Sequence, residues 1–543
     1  MNSPELVLTE PERVNHPSSS KSLGNLSFSQ GVILTLWTLP LSCLDILEML
    51  SCLIDKRLCC LSTQLMPSLC LDAPATARLD QGWRARLEEL LAAGMAAGAD
   101  LVEIFVERND QLNVLAEQER ITSVSPAMGC GAGIRVFKGN CDGFAATNDL
   151  SEPALLTALE QALGMLGLSR SAGAIGWQGL AAFRDYGSGK EQWLKGCPTV
   201  PDSAERLREA TAALARHGRH LQARRASYAR DWQEVLVAAS DGIFARDLRL
   251  HQTTGLTLLA ADGDHRASIG RRDGRADEPD FLARWPVEDV AVSACQSAGK
   301  MLYANVVKAG DYPVVLANRF GGVIFHEACG HLLETTQVER GSTPFADKLG
   351  QAIAHPAVTA VDEGLSGHNF GSMAMDDEGM TPQRTVLIKD GVLQCFLSDR
   401  AGEMRTGHPR TGSGRRQNHG FAAASRMRNT FIDPGPHKPA ELIDSIDHGL
   451  YCKQMGGGSV GPTGQFNFAV EEAYWIENGR LREDKPVKGA TLIGDAVTVL
   501  PRISMCADDG ALAAGFCGSV SGSVYVTVGQ PHIKVDRMTV GGR

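Results

Sequence analysis

Residues 312–334 read YPVVLANRFGGVIFHEACGHLLE. The stretch opens on an apolar run with two valines, crosses Asn-Arg-Phe-Gly-Gly, and enters a second apolar run that carries His326, Glu327 and His331. The pattern predicts a buried strand over 312–316 leading into a helix over 323–333, whose composition is helical apart from Gly330. Imidazole is a good zinc donor, and a catalytic zinc site leaves one of its four positions open for water. Two histidines about one turn apart can supply two ligands, and a glutamate beside the first can take a proton from water. His326 and His331 are therefore candidate metal ligands, and Glu327 is the candidate catalytic base.

The spacing departs from the usual zinc helix. In H-E-x-x-H the histidines are four apart and share a face. Here they are five apart, and on a regular helix they would diverge by about 140°. They can converge if the helix is locally distorted, for example by a π-type turn, and Gly330 is the expected place for it. The alternative is a surface cluster, or a satisfied core network that holds no metal. The apolar flanks favour the metal, because a His-Glu-His group inside a buried helix needs a partner.

Working outward, residues 83–99 predict a helix, and 101–106, 111–116, 121–124 and 131–137 predict short strands. Helices are expected over 152–168 and 203–224, with a Gly- and Ser-rich loop over 169–201 between them. Residues 226–271 alternate polar and apolar and break at Asp241-Gly242 and Asp262-Gly263, which predicts an antiparallel meander. A helix is expected over 287–308. Beyond it, Asp390-Gly391 and Asn478-Gly479 mark hairpins, 439–448 reads as a short helix, and 522–528 and 532–540 alternate as strands. The expected fold is α+β, with two domains built from antiparallel sheets and flanking helices: 79–305, and 306–543 carrying the metal site.

Residues 1–78 differ. The run 31–44 is strongly apolar, but it is short for a membrane span and Pro40 interrupts it. It also lacks the basic N-terminal region of a secretory signal. A poorly ordered leader, or a start assigned too far upstream with Met66 as the alternative, is the expectation, and membrane insertion is not.

The formal net charge is −10, which argues against a nucleic-acid binder. The short basic clusters, Arg271-Arg272 and Arg415-Arg416 beside Arg410, read as solvated faces or substrate-carboxylate contacts. None of the 14 cysteines forms a C-x-x-C pair. Scattered thiols fit a reducing, cytoplasmic setting.

HEACGHLLE (326–334) resembles the H-E-x-x-x-H signature of the TldD/PmbA metallopeptidases, formerly described as modulators of DNA gyrase. The resemblance extends to GGGSVGPTGQFNF (456–468), EAYWIENGRL (472–481), KPVKGATLIG (485–494), VGQPHIKVDRMTVGG (528–542) and LLAAGMAAGADLVEIFVE (90–107), and covers 79–543. Carrying the motif, the chain resembles the TldD type, since the PmbA/TldE type lacks it. The resemblance implies a third ligand at Cys517, in GFCGSVSGSVYVTVGQ (515–530), where the Lys and Gln of the family's Cys-Gly-Lys-x-Gly-Gln are absent. Cys329 and Cys506 are the rival thiols. It further implies one zinc ion per catalytic subunit, hydrolysis of unfolded or flexible peptides bound as an added strand, and a dimer with a PmbA/TldE-like paralogue or with itself. Two alternatives are a non-catalytic binding or assembly subunit and a DNA gyrase-associated regulator.

Overall fold

The computed structural model describes residues 78–170, 177–461 and 463–542. The expectations for the leader, its apolar run and Met66 lie outside these residues. Among the described residues, no helix is long and apolar enough to cross a membrane.

Among the described residues, seven strands precede residue 280: β1 (Leu101–Glu117), β2 (Arg120–Lys138), β3 (Cys141–Thr147), β4 (Arg184–Asp185), β5 (Leu221–Ala239), β6 (Phe244–Asp262) and β7 (His265–Ala276). They form one sheet in the order β3-β2-β1-β5-β6-β7, antiparallel throughout, with β4 parallel on β6. The meander breaks fall at Asp241-Gly242 and Asp262-Gly263, where Gly242 and Gly263 take positive φ. The four short strands expected over 101–137 are instead two long ones that pair along their whole length. The half around 121–130 is exposed, so it has no buried face to give a clean alternation.

Helices α1 (Arg84–Ala96) and α2 (Glu152–Gly164) bury Leu87, Leu91, Leu155 and Leu159 against Val102, Ile104 and Val136 of the sheet. Helices α3 (Val200–His217) and α4 (Val287–Leu302) pack together on the other end, over Tyr228, Leu256 and Leu258. A capping box of Thr199 and Asp202 starts α3 three residues earlier than expected. Gly218 ends it, because its extended backbone turns the chain into β5. Burying such leucine side chains contributes roughly 1.5–3 kcal/mol each.

The remaining strands are β8 (Asn305–Val306), β9 (Gly310–Leu316), β10 (Ala360–Glu363), β11 (Thr385–Lys389), β12 (Val392–Leu393), β13 (Gly414–Arg415), β14 (Ala424–Ser425), β15 (Asn429–Ile432), β16 (His448–Val460), β17 (Phe466–Glu477), β18 (Arg480–Lys488), β19 (Thr491–Gly494), β20 (Ile503–Cys506), β21 (Ala511–Ser519), β22 (Gly522–Gln530) and β23 (Ile533–Gly541). In one sheet the order β16-β9-β23-β19-β17, with β17 pairing back onto β16, closes a ring of five strands. A second sheet runs β12-β11-β10-β15-β22-β21. Pairing is mostly antiparallel, but β9·β16, β8·β18 and β15·β22 are parallel. The hairpins expected at Asp390-Gly391 and Asn478-Gly479 are present, with both residues of each pair at positive φ.

The basic clusters at 410–416 are not solvated. Arg415 and Arg416 are buried. Arg416 and Arg400 reach across to the buried Glu103 of β1, at 2.6 and 3.2 Å. Arg410 pairs with Glu378 at 3.1 Å, and Arg271 with Glu471 at 3.3 Å. Carboxylates distant in sequence bring these guanidinium groups inside, which local charge patterning does not reveal.

Candidate metal centre

Strand β9 buries Val314, Val315 and Leu316 completely. After it, a 3-10 turn (Arg319–Gly322) leads into helix α5 (Val323–Ala328). Gly322 sits against the backbone of β22: a Cβ there would lie 2.5 Å from Gly529 O. This close approach seats the start of α5 on the strand that pairs with β21.

Helix α5 ends at Ala328, one residue short of Cys329, whose φ of −121° leaves the helical region. The chain re-enters a 3-10 turn over Gly330–Leu333. The expected wide π-type turn is therefore replaced by a helix end followed by a tighter one. Gly330 still matters, for a steric reason: a Cβ on it would stand 2.1 Å from Met427 Sδ. The break swings His331 back toward His326, and the two rings lie with centroids 5.2 Å apart at 82°.

The structure brings His326, His331 and Cys517 together, with one donor atom from each within 4.8 Å of the others. Cys517 Sγ lies 3.2 Å from His331 Nε2. A tetrahedral zinc with Zn–N and Zn–S near 2.0 and 2.3 Å needs such a pair about 3.5 Å apart. Glu327 Oε2 is 3.7 Å from His331 Nε2, and its side chain is 26% exposed. His326 is buried, and its Nδ1 has no hydrogen-bond partner. Two imidazoles, one thiol and an unpartnered buried nitrogen fit a soft divalent cation such as zinc.

The electrostatics agree with that donor set. Burial opposes ionisation of the Cys517 thiol, yet the His331 and His326 rings hold it well below the ordinary thiol range. Burial likewise opposes charge on His331, but Cys517 and Glu334 hold it well above the ordinary imidazole range. The rival thiols do not join the group. Cys329 is fully buried in the apolar core and burial pushes its thiol up. Burial pushes Cys506 up to about 12.

Two supporting residues went unassigned in the sequence. Glu334, fully buried, places Oε2 3.2 Å from His331 Nδ1. It lies three residues on from His331, across the 3-10 turn, and fixes the ring with Nε2 toward Cys517. Its place inside HEACGHLLE was the available signal. Arg426, also fully buried, donates to the Cys517 carbonyl, to Ser521 Oγ at 2.9 Å and to Gly522 O at 2.8 Å. It clamps the end of β21, which carries Cys517, to the turn into β22, and nothing local in its sequence announces this.

Three family profiles match in chain order: PmbA/TldA metallopeptidase domain 1 over residues 102–166, the central domain over 196–302 and the C-terminal domain over 309–542. The "Metalloprotease TldD homolog" of Haemophilus influenzae is 38% identical over 325 residues, covering 58% of this chain and 67% of that protein. The chain belongs to the PmbA/TldD metallopeptidase family. Another member, the "Zinc metalloprotease TldD homolog" of Saccharolobus solfataricus, is 34% identical over 242 residues, 44% of this chain and 54% of that one. Among solved PmbA/TldD-type folds, the crystal structure of TldE from Thermococcus kodakarensis superposes with a TM-score of 0.67 at 21% identity. It covers 84% of this chain and all of that one, a likeness of fold.

Proposed function

We propose that this chain is a zinc-dependent peptidase in which His326, His331 and Cys517 hold the metal and Glu327 is the catalytic base. The observation that carries the reading is the convergence of two imidazoles and one thiol from sites far apart in the chain. A relative named a zinc metalloprotease supports the choice of metal. Zinc held there would supply Lewis-acid polarisation of a peptide carbonyl and make water more acidic. Glu327 follows His326 directly and reaches the same space from a partly exposed position, so its carboxylate can accept a proton from attacking water and return it to the leaving amine. Glu334 keeps His331 in one orientation, and Arg426 keeps Cys517 in place.

The substrate in this reading is an unfolded or flexible peptide. Cys517 lies on β21, which among the described residues is the terminal strand of its sheet and pairs with β22 alone. An extended peptide can add to such an edge, with its backbone held beside the metal donors. The chain works as a dimer, with a PmbA/TldE-like paralogue or with itself; the TldE fold likeness is consistent with a paralogous partner.

The test is cleavage of an unstructured peptide by the purified full-length chain, alone and with the co-expressed paralogue. Activity that a chelator abolishes, zinc restores and Glu327→Gln lacks is the expected result. Activity that survives complete metal removal refutes the reading.

A further inference from the structure

A cavity lies against the hairpin that carries Cys517 and reaches the face of Phe516 and Tyr525. In the β21–β22 ladder Cys517 pairs with Val524 and Phe516 with Tyr525, so the two pairs point to opposite faces. The cavity on the Phe516–Tyr525 side measures about 180 Å³ and is closed by residues of β1, β5 and β6 and by the segment around Arg415.

Its lining carries several buried polar side chains. Arg249 is satisfied by Asp377 at 2.5 Å and Met375 O at 2.9 Å. Arg415 is not. It is 4% exposed, donates Nη1 to Met427 O at 2.7 Å, leaves Nε without a partner, and forms no ion pair among the described residues. Burial pushes its guanidinium down to about 10, opposed by Asp377 and assisted by Arg426 and Arg249. A buried guanidinium in this state calls for an anion with paired acceptor oxygens.

Other groups narrow the chemistry. His251 stacks on Tyr525 with ring centroids 4.0 Å apart. Burial, with Arg415 and Arg249 nearby, keeps that ring neutral. Asp231 accepts from Tyr525 Oη at 2.5 Å, is also held by the Gln111 side chain, and lines the same space. A carboxylate there disfavours a phosphate dianion and favours a ligand that brings a cationic end as well.

We propose that this cavity binds a small zwitterion, whose carboxylate pairs with Arg415 and whose ammonium group pairs with Asp231. A free α-amino acid and a very short peptide share that chemistry, and its acceptor and donor ends match the guanidinium and the carboxylate that line the cavity. None of the three metal donors lines this cavity.

Calorimetric titration of the full-length chain tests this, in a Glu327→Gln background so that hydrolysis does not intervene. The probes are alanyl-alanine, its C-terminal amide, free alanine and inorganic phosphate. The expected result is one alanyl-alanine or alanine per chain, with the amide weaker by about tenfold or more. The tighter of alanine and alanyl-alanine identifies the source. In Arg415→Gln the preference for acid over amide disappears. No binding of either zwitterion, equal binding of acid and amide, or phosphate binding as tightly as the zwitterions would overturn the proposal. The acid–amide comparison on the chain with Arg415 intact stands even if Arg415→Gln fails to fold.

Discussion

His331 holds its Nε2 3.2 Å from the Sγ of Cys517, across 186 positions of the chain. Neither residue reaches the other by local structure. The 3-10 turn over Gly330–Leu333 aims the ring, and Arg426 anchors the strand that presents the thiol. The expected behaviour of variants follows from which of these parts each one touches.

Glu327→Gln keeps the size and hydrogen-bonding reach of the side chain but removes its basicity. It should retain metal at the wild-type stoichiometry and lose turnover by roughly 10²–10⁴-fold, the range of a positioned general base. Metal analysis and a peptide-cleavage assay on the same preparation check this. Full activity in the variant would move the base elsewhere.

Glu334→Gln leaves the three donors in place but exchanges the carboxylate at His331 Nδ1 for an amide. Loss of such a partner typically weakens metal affinity about 10–100-fold. Competition with a chelator of known affinity measures it, and an unchanged zinc dissociation constant would assign Glu334 to packing alone.

Gly330→Ala places a methyl group 2.1 Å from Met427 Sδ. Relief requires moving either Met427 or the turn that aims His331. The expectation is a loss of about 1–3 kcal/mol in unfolding free energy, together with weaker zinc retention. Gly330→Ala combined with Met427→Ala should recover part of both, because the clash is specific to that side chain. Denaturant titration and metal content provide the two readouts.

Asp231 gives a pH signature. Burial raises its folded-state pKa to about 6 against an ordinary value of 3.8, while the Tyr525 hydrogen bond opposes the shift. Between those values the folded chain binds more protons than the unfolded one, so this group's contribution makes stability fall as pH rises from about 4 to about 6. The shift is worth at most about 3 kcal/mol. Asp231→Asn should flatten that part of the stability–pH curve, and a curve of unchanged slope would contradict the assignment.

The sequence made some parts of this fold plain and hid others, for physical reasons. Asp390-Gly391 and Asn478-Gly479 announced their hairpins because positive φ at both positions suits few residues other than Asn, Asp and Gly. His326, Glu327 and His331 were legible as a group because they lie within one short stretch. Cys517 came only through family resemblance, since no local pattern links β21 to α5. The helix break was expected, but in the wrong form and one residue late. A π-type turn and a helix end followed by a 3-10 turn both correct a spacing of five, and only packing against Met427 separates them. The exposed half of β2 lacked a buried face to set a period, so two strands were read as four. Arg416 looked solvated because the carboxylate that pairs with it, Glu103, lies some 300 positions away.

Zinc K-edge absorption on the purified full-length chain tests the central claim most directly. The account predicts one sulfur at about 2.3 Å and two imidazole nitrogens at about 2.0–2.1 Å, with a light atom completing the shell. It also predicts that the sulfur disappears in Cys517→Ala. A wild-type shell of nitrogen and oxygen alone, or a sulfur that persists in Cys517→Ala, would contradict it.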